Sequence, residues 1–442
     1  MKSDEGILGL RERVAAGAER VEEVAEKVVA RIAERDGEVR AWKDFDPAYV
    51  HRQAETVSRH RRSGRPLGPL HGVPVGIKDI IDVAGLPTGL GLKDDASAPV
   101  MHDSTLVGRL REAGAVIVGK TVTTELAYFE PRETRNPHDL SRTPGGSSSG
   151  SAAAVADGHV PIAIGTQTNG SMIRPASFCG IVGYKPSHGM LARTGILLHH
   201  EILDTPGIYA RSVPEAALVG EVVAGADGRD RSVAWEPRGG LLETALGEPP
   251  ARPIFAIVRG PYWDQADEAV KAGFDELADV LGDQADVIDL PSPFAHAAPA
   301  LEKIMKIGFA HNLPAVLARR GATPGEIMRE AMEVGRTATA SSYLEALAIR
   351  DILRAGLAEI FERYAAILTP AAPGEAPEGL GSTGNPIFCS TWQLTGNPAV
   401  SLPVMTGANG LPVGLQVVGA YNDDARLLRT AHWLHRHLRE TE

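Results

Sequence analysis

Cysteine is scarce. The chain has two, Cys179 and Cys389, in 442 residues, which excludes a disulfide framework and is the usage of a protein whose thiols stay reduced. Long apolar runs are missing, so no segment reaches the length that crosses a bilayer. The start, Met1-Lys2-Ser3-Asp4-Glu5, has none of the apolar core of a signal peptide. A cytoplasmic protein without membrane association is the expectation. Basic charge is also short: 45 Lys and Arg stand against 56 Asp and Glu, a net charge of −11. With no strong basic run to offset it, nucleic acid is excluded as a partner. A small anionic substrate is not, because one local arginine outweighs a diffuse surface charge at short range. There is no internal repeat and no low-complexity tract. What remains, 43% hydrophobic and 23% charged residues, is an ordinary globular composition, long enough to bury a large core.

Periodicity orders the chain. Val14, Val21, Val24, Val28 and Ile32 recur at helical spacing and predict one amphipathic helix over 11–35. A second helix is predicted over 47–62 and a third over 104–113. His71 to Ile77, Ala115 to Val118 and Val160 to Ile164 read as short buried strands. Further strands are expected at 254–258, 287–290, 366–368 and 415–418. Alternation of strand and helix predicts an α/β fold with many parallel pairs. From Asp264 to Tyr364 the pattern turns helical, over 269–281, 301–317 and 343–361, with Pro314 placed to kink or split the middle one. The Gly- and Pro-rich stretches 239–253 and 371–386 read as long surface connections.

The chemistry concentrates in three glycine-flanked segments. Gly76-Ile77-Lys78-Asp79 comes first. Pro144-Gly145-Gly146-Ser147-Ser148-Ser149-Gly150-Ser151 follows. Gly165-Thr166-Gln167-Thr168-Asn169-Gly170-Ser171-Met172-Ile173-Arg174-Pro175 is the third, with Ser171 lying 24 positions after Ser147. Three groups able to share protons, each in a turn beside an apolar run, suggest a serine hydrolase whose base is lysine. Two other readings compete at the serine cluster. A flexible Gly/Ser linker is one, although Pro144 and the Ala152 to Ala156 run, the start of a buried helix, bound it. A G-x-S-x-G elbow with Ser148 as nucleophile is the other. It requires a later acid and histidine, and no histidine stands out for that role.

These segments resemble the amidase signature family. So do Cys179-Gly180-Ile181-Val182-Gly183-Tyr184-Lys185-Pro186-Ser187, Gly396 to Pro403 and Gly410 to Gln416. The resemblance runs from about Ala41 to the C-terminus. It implies a central mixed β-sheet sandwiched by α-helices, as one amidase domain over residues 1–442. Within it lie a helical arm (about 1–64), a signature core (about 65–220), a helical cap (about 264–364) and a C-terminal part completing the sheet (about 365–442). It implies a Ser-cisSer-Lys triad: Ser171 the nucleophile, Ser147 the bridging serine after a cis Gly146–Ser147 peptide, and Lys78 the base. A serine hydroxyl needs a neighbour to accept its proton. A lysine does so only when neutral, which burial among Ile77, Ile80 and Ile81 favours. The resemblance gives the oxyanion to the backbone N–H groups of Thr168, Asn169, Gly170 and Ser171. No cofactor and no metal are implied.

The chain departs from the usual G-T-D-x-G-G-S-I-R-x-P. Gln167 stands for the Asp, Ile173 for the Arg, Asn169 for a glycine, and Arg174 sits one position later; Ser149 replaces a further glycine. This variant is similar to the malonamidase branch, where an Arg three residues after the nucleophile binds a substrate carboxylate. Arg174 is accordingly a candidate carboxylate anchor, since a guanidinium grips carboxylate through two parallel hydrogen bonds; pairing with a buried Asp or Glu is the alternative. Tyr128 and Phe129 are candidates to line the pocket or to be plain core aromatics. Thr166 and Gln167 are expected to support the oxyanion turn. His199-His200-Glu201 is a poor metal site, because adjacent side chains point apart. His432, His435 and His437 lie on an amphipathic C-terminal helix, and Gly89-Leu90-Gly91 lacks the rest of a dinucleotide fingerprint. The function expected is hydrolysis of a small linear carboxamide, malonamate-like or a ureido acid, to an acid and ammonia or an amine, by a chain that forms a possible homodimer. The alternatives are a glutamine-hydrolysing subunit of a tRNA-dependent amidotransferase and an aryl or neutral-amide amidase.

Overall fold

A computed structural model describes residues 6–93, 97–233 and 239–441. Its strands, in chain order, are β1 (Trp42–Phe45), β2 (Pro74–Lys78), β3 (Val116–Thr121), β4 (Ile162–Gln167), β5 (Val182–Lys185), β6 (Thr205–Ala210), β7 (Phe255–Arg259), β8 (Ala285–Asp289), β9 (Ala366–Pro370), β10 (Ala399–Thr406) and β11 (Pro412–Val418). They form one sheet in the order β1-β3-β2-β4-β6-β5-β10-β11-β9-β7-β8. Parallel pairing is confined to two flanks, β3-β2-β4 and β9-β7-β8. The middle of the sheet, from β4 through β6, β5, β10 and β11 to β9, is antiparallel. The sheet is therefore mixed, with fewer parallel pairs than the alternation of elements suggested.

Side-chain alternation gives the sheet two buried faces. Ile117, Ile162 and Ile164 join a core shared with the helices Thr105–Glu112 and Val213–Val223. Val116, Val118 and Ala163 join a second core with Val21–Val39 and the small-residue helix Ser149–Ala156. Both faces are covered by helices, the layering of an α/β fold.

Several local expectations change. The helix over 11–35 is two, Gly6–Ala16 and Val21–Val39, broken at Gly17, whose φ is +77°. Val14 and Val21 are buried in the same core on either side of the turn, so the apolar period runs through the break. The N-terminal arm contributes β1 and so is not purely helical, while the strand expected at 287–290 is present as β8. Pro314 neither ends nor divides the helix Ala297–Arg320; it lies on the exposed side, where water can satisfy the carbonyl its ring leaves unpaired. The 239–253 stretch carries the helix Leu241–Leu246, seated by buried Leu241 and Ala245. The 371–386 stretch is not a surface connection throughout: Ala371, Ala372, Ala376 and Thr383 are buried. On the C-terminal helix Asp424–Thr441, Leu427, Leu428, Ala431 and Leu434 form the buried face. Cys179 and Cys389 are free and buried. Among the described residues, no helix is long and apolar enough to cross a membrane.

Candidate active site

The parallel strands β2 and β4 end side by side, at Lys78 and Gln167. That is the end of such a sheet where ligands are received. The helix Ser149–Ala156 brings the serine cluster there because its first turn lies almost on the backbone just before β1 and just after β3. A Cβ on Gly150 would fall 2.2 Å from the Ala41 carbonyl oxygen and 2.4 Å from the Val122 nitrogen. Ser151 donates to the Ile164 carbonyl (3.0 Å) and meets the Thr121 hydroxyl (2.6 Å). Ser149 donates to the Val122 carbonyl (3.4 Å), which gives its hydroxyl a use that a glycine could not supply. Ser148 is fully buried, donating to the Thr166 carbonyl and accepting from the Thr166 N–H. A side chain so engaged is not the exposed nucleophile of an elbow.

Lys78 is completely buried. Its Nζ donates to Ser147 Oγ (2.7 Å) and Thr166 Oγ1 (2.8 Å). Thr166 thus touches the amine directly, more than support for a turn. Burial holds the Lys78 pKa well below the ordinary lysine value, and the Asp204 charge opposes that shift. Lys120, from the neighbouring strand, is equally buried but has an ion-pair partner, Asp79, at 2.9 Å. The contrast is chemical: one buried lysine is given a carboxylate, the other only hydroxyls. Ser147 is held by its own carbonyl, which accepts from Thr123 Oγ1 (3.2 Å) and the Thr124 N–H (3.3 Å). The Gly146–Ser147 peptide is cis.

Ser171 is half-buried, and its carbonyl accepts from the Tyr209 hydroxyl at 2.9 Å. Among the described residues no hydrogen bond joins its hydroxyl to Ser147; the contact present is that of Lys78 with Ser147. The turn before it is well supported. Gln167 Oε1 accepts from the N–H groups of Met172 (2.8 Å) and Ile173 (3.1 Å), at the start of the helix Ile173–Phe178. Its amide donates to Gln393 Oε1 (3.0 Å). Gln167 therefore takes a helix-capping place with a neutral side chain, and no arginine is needed to balance it. Asn169 Oδ1 accepts from Ser390 Oγ at 2.9 Å. A Cβ on Gly170 would fall 2.7 Å from Pro386 Cβ. Among the described residues no acceptor engages the N–H groups of Thr168, Asn169, Gly170 or Ser171, which leaves them able to stabilise a developing oxyanion.

Arg174 is 2% exposed and has no carboxylate partner among the described residues. Its Nη2 donates to the Gly146 carbonyl (2.5 Å) and Thr383 Oγ1 (3.1 Å), while Nε and Nη1 are buried without an acceptor. Its Cζ lies 6.0 Å from the centre of the Phe129 ring. Burial lowers its pKa to about 10, which leaves it charged at neutral pH. Tyr128 packs on Phe309 (4.8 Å between ring centres) and on Phe129 (4.7 Å), and burial raises its hydroxyl pKa to about 12. Phe129, rather than Tyr128, is the aromatic that the structure brings to the arginine. The helix Ala297–Arg320 contributes Phe309 to this wall.

Thr383, Gln393, Ser390, His199 and Asp204 also meet the site and carry no sequence signal at their spacing. His199 and His200 are engaged separately. The His199 ring faces the Leu126 carbonyl (2.6 Å) and Thr168 Oγ1 (3.2 Å), and His200 Nε2 faces the Tyr343 hydroxyl (3.2 Å). Among the described residues no group of three His, Cys, Asp or Glu is arranged to hold a metal ion.

The amidase family profile matches residues 23–428. A glutamyl-tRNA(Gln) amidotransferase subunit from Salinispora arenicola (strain CNS-205) is 33% identical over 464 residues, covering 95% of this chain and 94% of its own. The protein of the same name from Geobacillus stearothermophilus is 32% identical over 452 residues, covering 93% of each chain. Among solved structures, native peptide amidase from Stenotrophomonas maltophilia superposes with a TM-score of 0.84 at 27% identity, covering 99% of this chain and 97% of that one. A protein of a vestigial complex that bears on the origins of an s-triazine catabolic enzyme superposes with a TM-score of 0.89 at 28% identity, covering 99% and 98%.

Proposed function

The chain belongs to the amidase family and is an amidase; from that premise we propose that it hydrolyses a small linear carboxamide carrying a carboxylate. Neutral Lys78 takes a proton from Ser147 as Ser147 takes one from Ser171. The Ser171 oxygen attacks the amide carbonyl, and the oxyanion faces the N–H groups of Thr168, Asn169, Gly170 and Ser171. The relay returns a proton to the nitrogen as the C–N bond breaks. Water then enters along the same relay and releases the acid from Ser171. Arg174 receives the substrate carboxylate.

The observation that carries the substrate reading is the Arg174 guanidinium, buried, without a carboxylate, and with two donors unengaged. An uncompensated buried charge is costly, and a ligand carboxylate would offset that cost through two parallel hydrogen bonds. Arg174 follows Ser171 by three residues, in the first turn of the helix Ile173–Phe178, and a short acid amide such as malonamate is the kind of substrate it would suit. A hydrolysis screen of amides with and without a terminal carboxylate tests the reading. Arg174→Ala should raise KM for acidic amides at least ~30-fold and leave KM for neutral amides nearly unchanged; equal effects on both would contradict the anchor.

A second reading, the glutamine-hydrolysing component of an amidotransferase, is favoured by the names of the relatives. Glutamine also carries a carboxylate, so Arg174 alone does not separate the two. Ammonia release from glutamine that requires copurifying partner proteins would decide for the second, and turnover of simple acid amides by the isolated chain for the first.

A further inference from the structure

Asp204 lies at the start of β6, next to Thr205, which pairs with Gln167. Its carboxylate is 8% exposed. One oxygen accepts from the N–H groups of His199 (2.5 Å) and His200 (3.3 Å), and the other from Thr168 Oγ1 (2.7 Å). His199 Nε2 is committed to the Leu126 carbonyl, so its Nδ1 is what meets the Thr168 hydroxyl at 3.2 Å. A carboxylate cannot donate, and the shorter contact assigns the Thr168 proton to Asp204. The Thr168 side chain is therefore held by Asp204, with the neutral His199 ring packed beside it. Asp204, Thr166 and Thr168 also line one small cavity, about 10 Å³, together with Ile80 and Arg193. Thr166 in that wall is the residue whose hydroxyl accepts from Lys78. The charged and titratable groups that face Asp204 are Lys78, His199, His200 and Arg193. Arg193 is already gripped by Asp230, at 2.8 and 2.9 Å, so it does not neutralise Asp204.

We propose that Asp204 is a positioning residue for the hydrolysis: through Thr168 it fixes the turn that faces the reacting carbonyl, and it is the anion set opposite Lys78 across the wall formed by Thr166 and Thr168. The proposal rests on the reading of Lys78 as the base. An anion there favours the protonated amine, and a base must be neutral, so activity falls on the acid side as Lys78 takes up its proton. Removing the anion must then move that acid limb to lower pH.

The test is kcat/KM for a neutral amide against pH, in the full chain, for the wild type, Asp204→Asn, Thr168→Val and Thr168→Ser, with Lys78→Ala as control. Asp204→Asn should lose about tenfold in rate and shift the acid limb down by about half a pH unit or more. Thr168→Val should lose about tenfold in kcat with the limb in place, and Thr168→Ser should restore it. An unmoved limb in Asp204→Asn, with the wild-type limb present, overturns the proposal. So does a wild-type kcat in Thr168→Val, a result that decides even where Asp204→Asn fails to fold. Wild-type activity in Lys78→Ala would instead overturn the parent reading, and this one with it.

Discussion

Lys78 is a residue whose burial is costly to the fold and whose proposed role as the base depends on that burial. In the unfolded chain it titrates near ~10.4; in the fold burial holds it well below. Between those two values the unfolded state binds the extra proton, so stability rises with pH across that window. The cost is complete below the folded value and gone above the unfolded one. Lys78→Met keeps the volume and removes the amine. Its stability relative to the wild type, read from denaturant midpoints, should be greater at pH 7 than at pH 10, with turnover abolished. An equal difference at both pH values would mean that the amine is charged in the fold. At this scale the sequence made Lys78, Ser147, Ser171 and Arg174 visible, because each stands in a dense glycine-flanked segment. Asp204 and Thr383 were hidden. Their partners, Thr168 and Arg174, lie far away in sequence, and a lone Asp or Thr beside ordinary loop residues has no pattern. The neutral cap by Gln167 explains in hindsight why the usual Asp and Arg are replaced together.

Among the elements, the helix Ser149–Ala156 matters most, since its approach to the chain at Ala41 and Val122 places Ser147 beside Lys78. The approach depends on Gly150, where a methyl group would meet the backbone of Ala41 and Val122. Backbone cannot swing aside as a long side chain can. Gly150→Ala should destabilise the protein by about 3 kcal/mol or more, measured by chemical denaturation, and should weaken serine reactivity in whatever protein still folds. A neutral result would show that the helix can stand off the sheet. Strands with apolar or β-branched runs, such as β3 and β4, were legible. The strand β6 (Thr205–Ala210) was not, because Pro206 and Gly207 break the pattern that marks a strand. Its place between β4 and β5 comes from its neighbours on both sides. The break at Gly17 was hidden for the opposite reason, an apolar period that continues across it.

Across the whole molecule, the mixed sheet gathers distant segments at one end. β2 carries Lys78, the segment before the helix Ser149–Ala156 carries Ser147, the turn after β4 carries Ser171, and the stretch before Ile387–Thr395 brings Thr383 to Arg174. Composition and charge set the class of molecule, and the spacing of motifs set the family. Neither could show that Arg174 lacks a carboxylate partner, since burial and pairing are properties of the assembled fold. In the proposed reaction an uncharged Lys78 activates Ser171 through Ser147 within this chain alone. The most direct test of that step is reaction of the purified full chain with a fluorophosphonate probe, followed by mapping of the adduct. A single adduct on Ser171, lost in Lys78→Ala, is expected; an adduct on Ser148, or labelling that survives Lys78→Ala undiminished, would overturn the role given to Lys78.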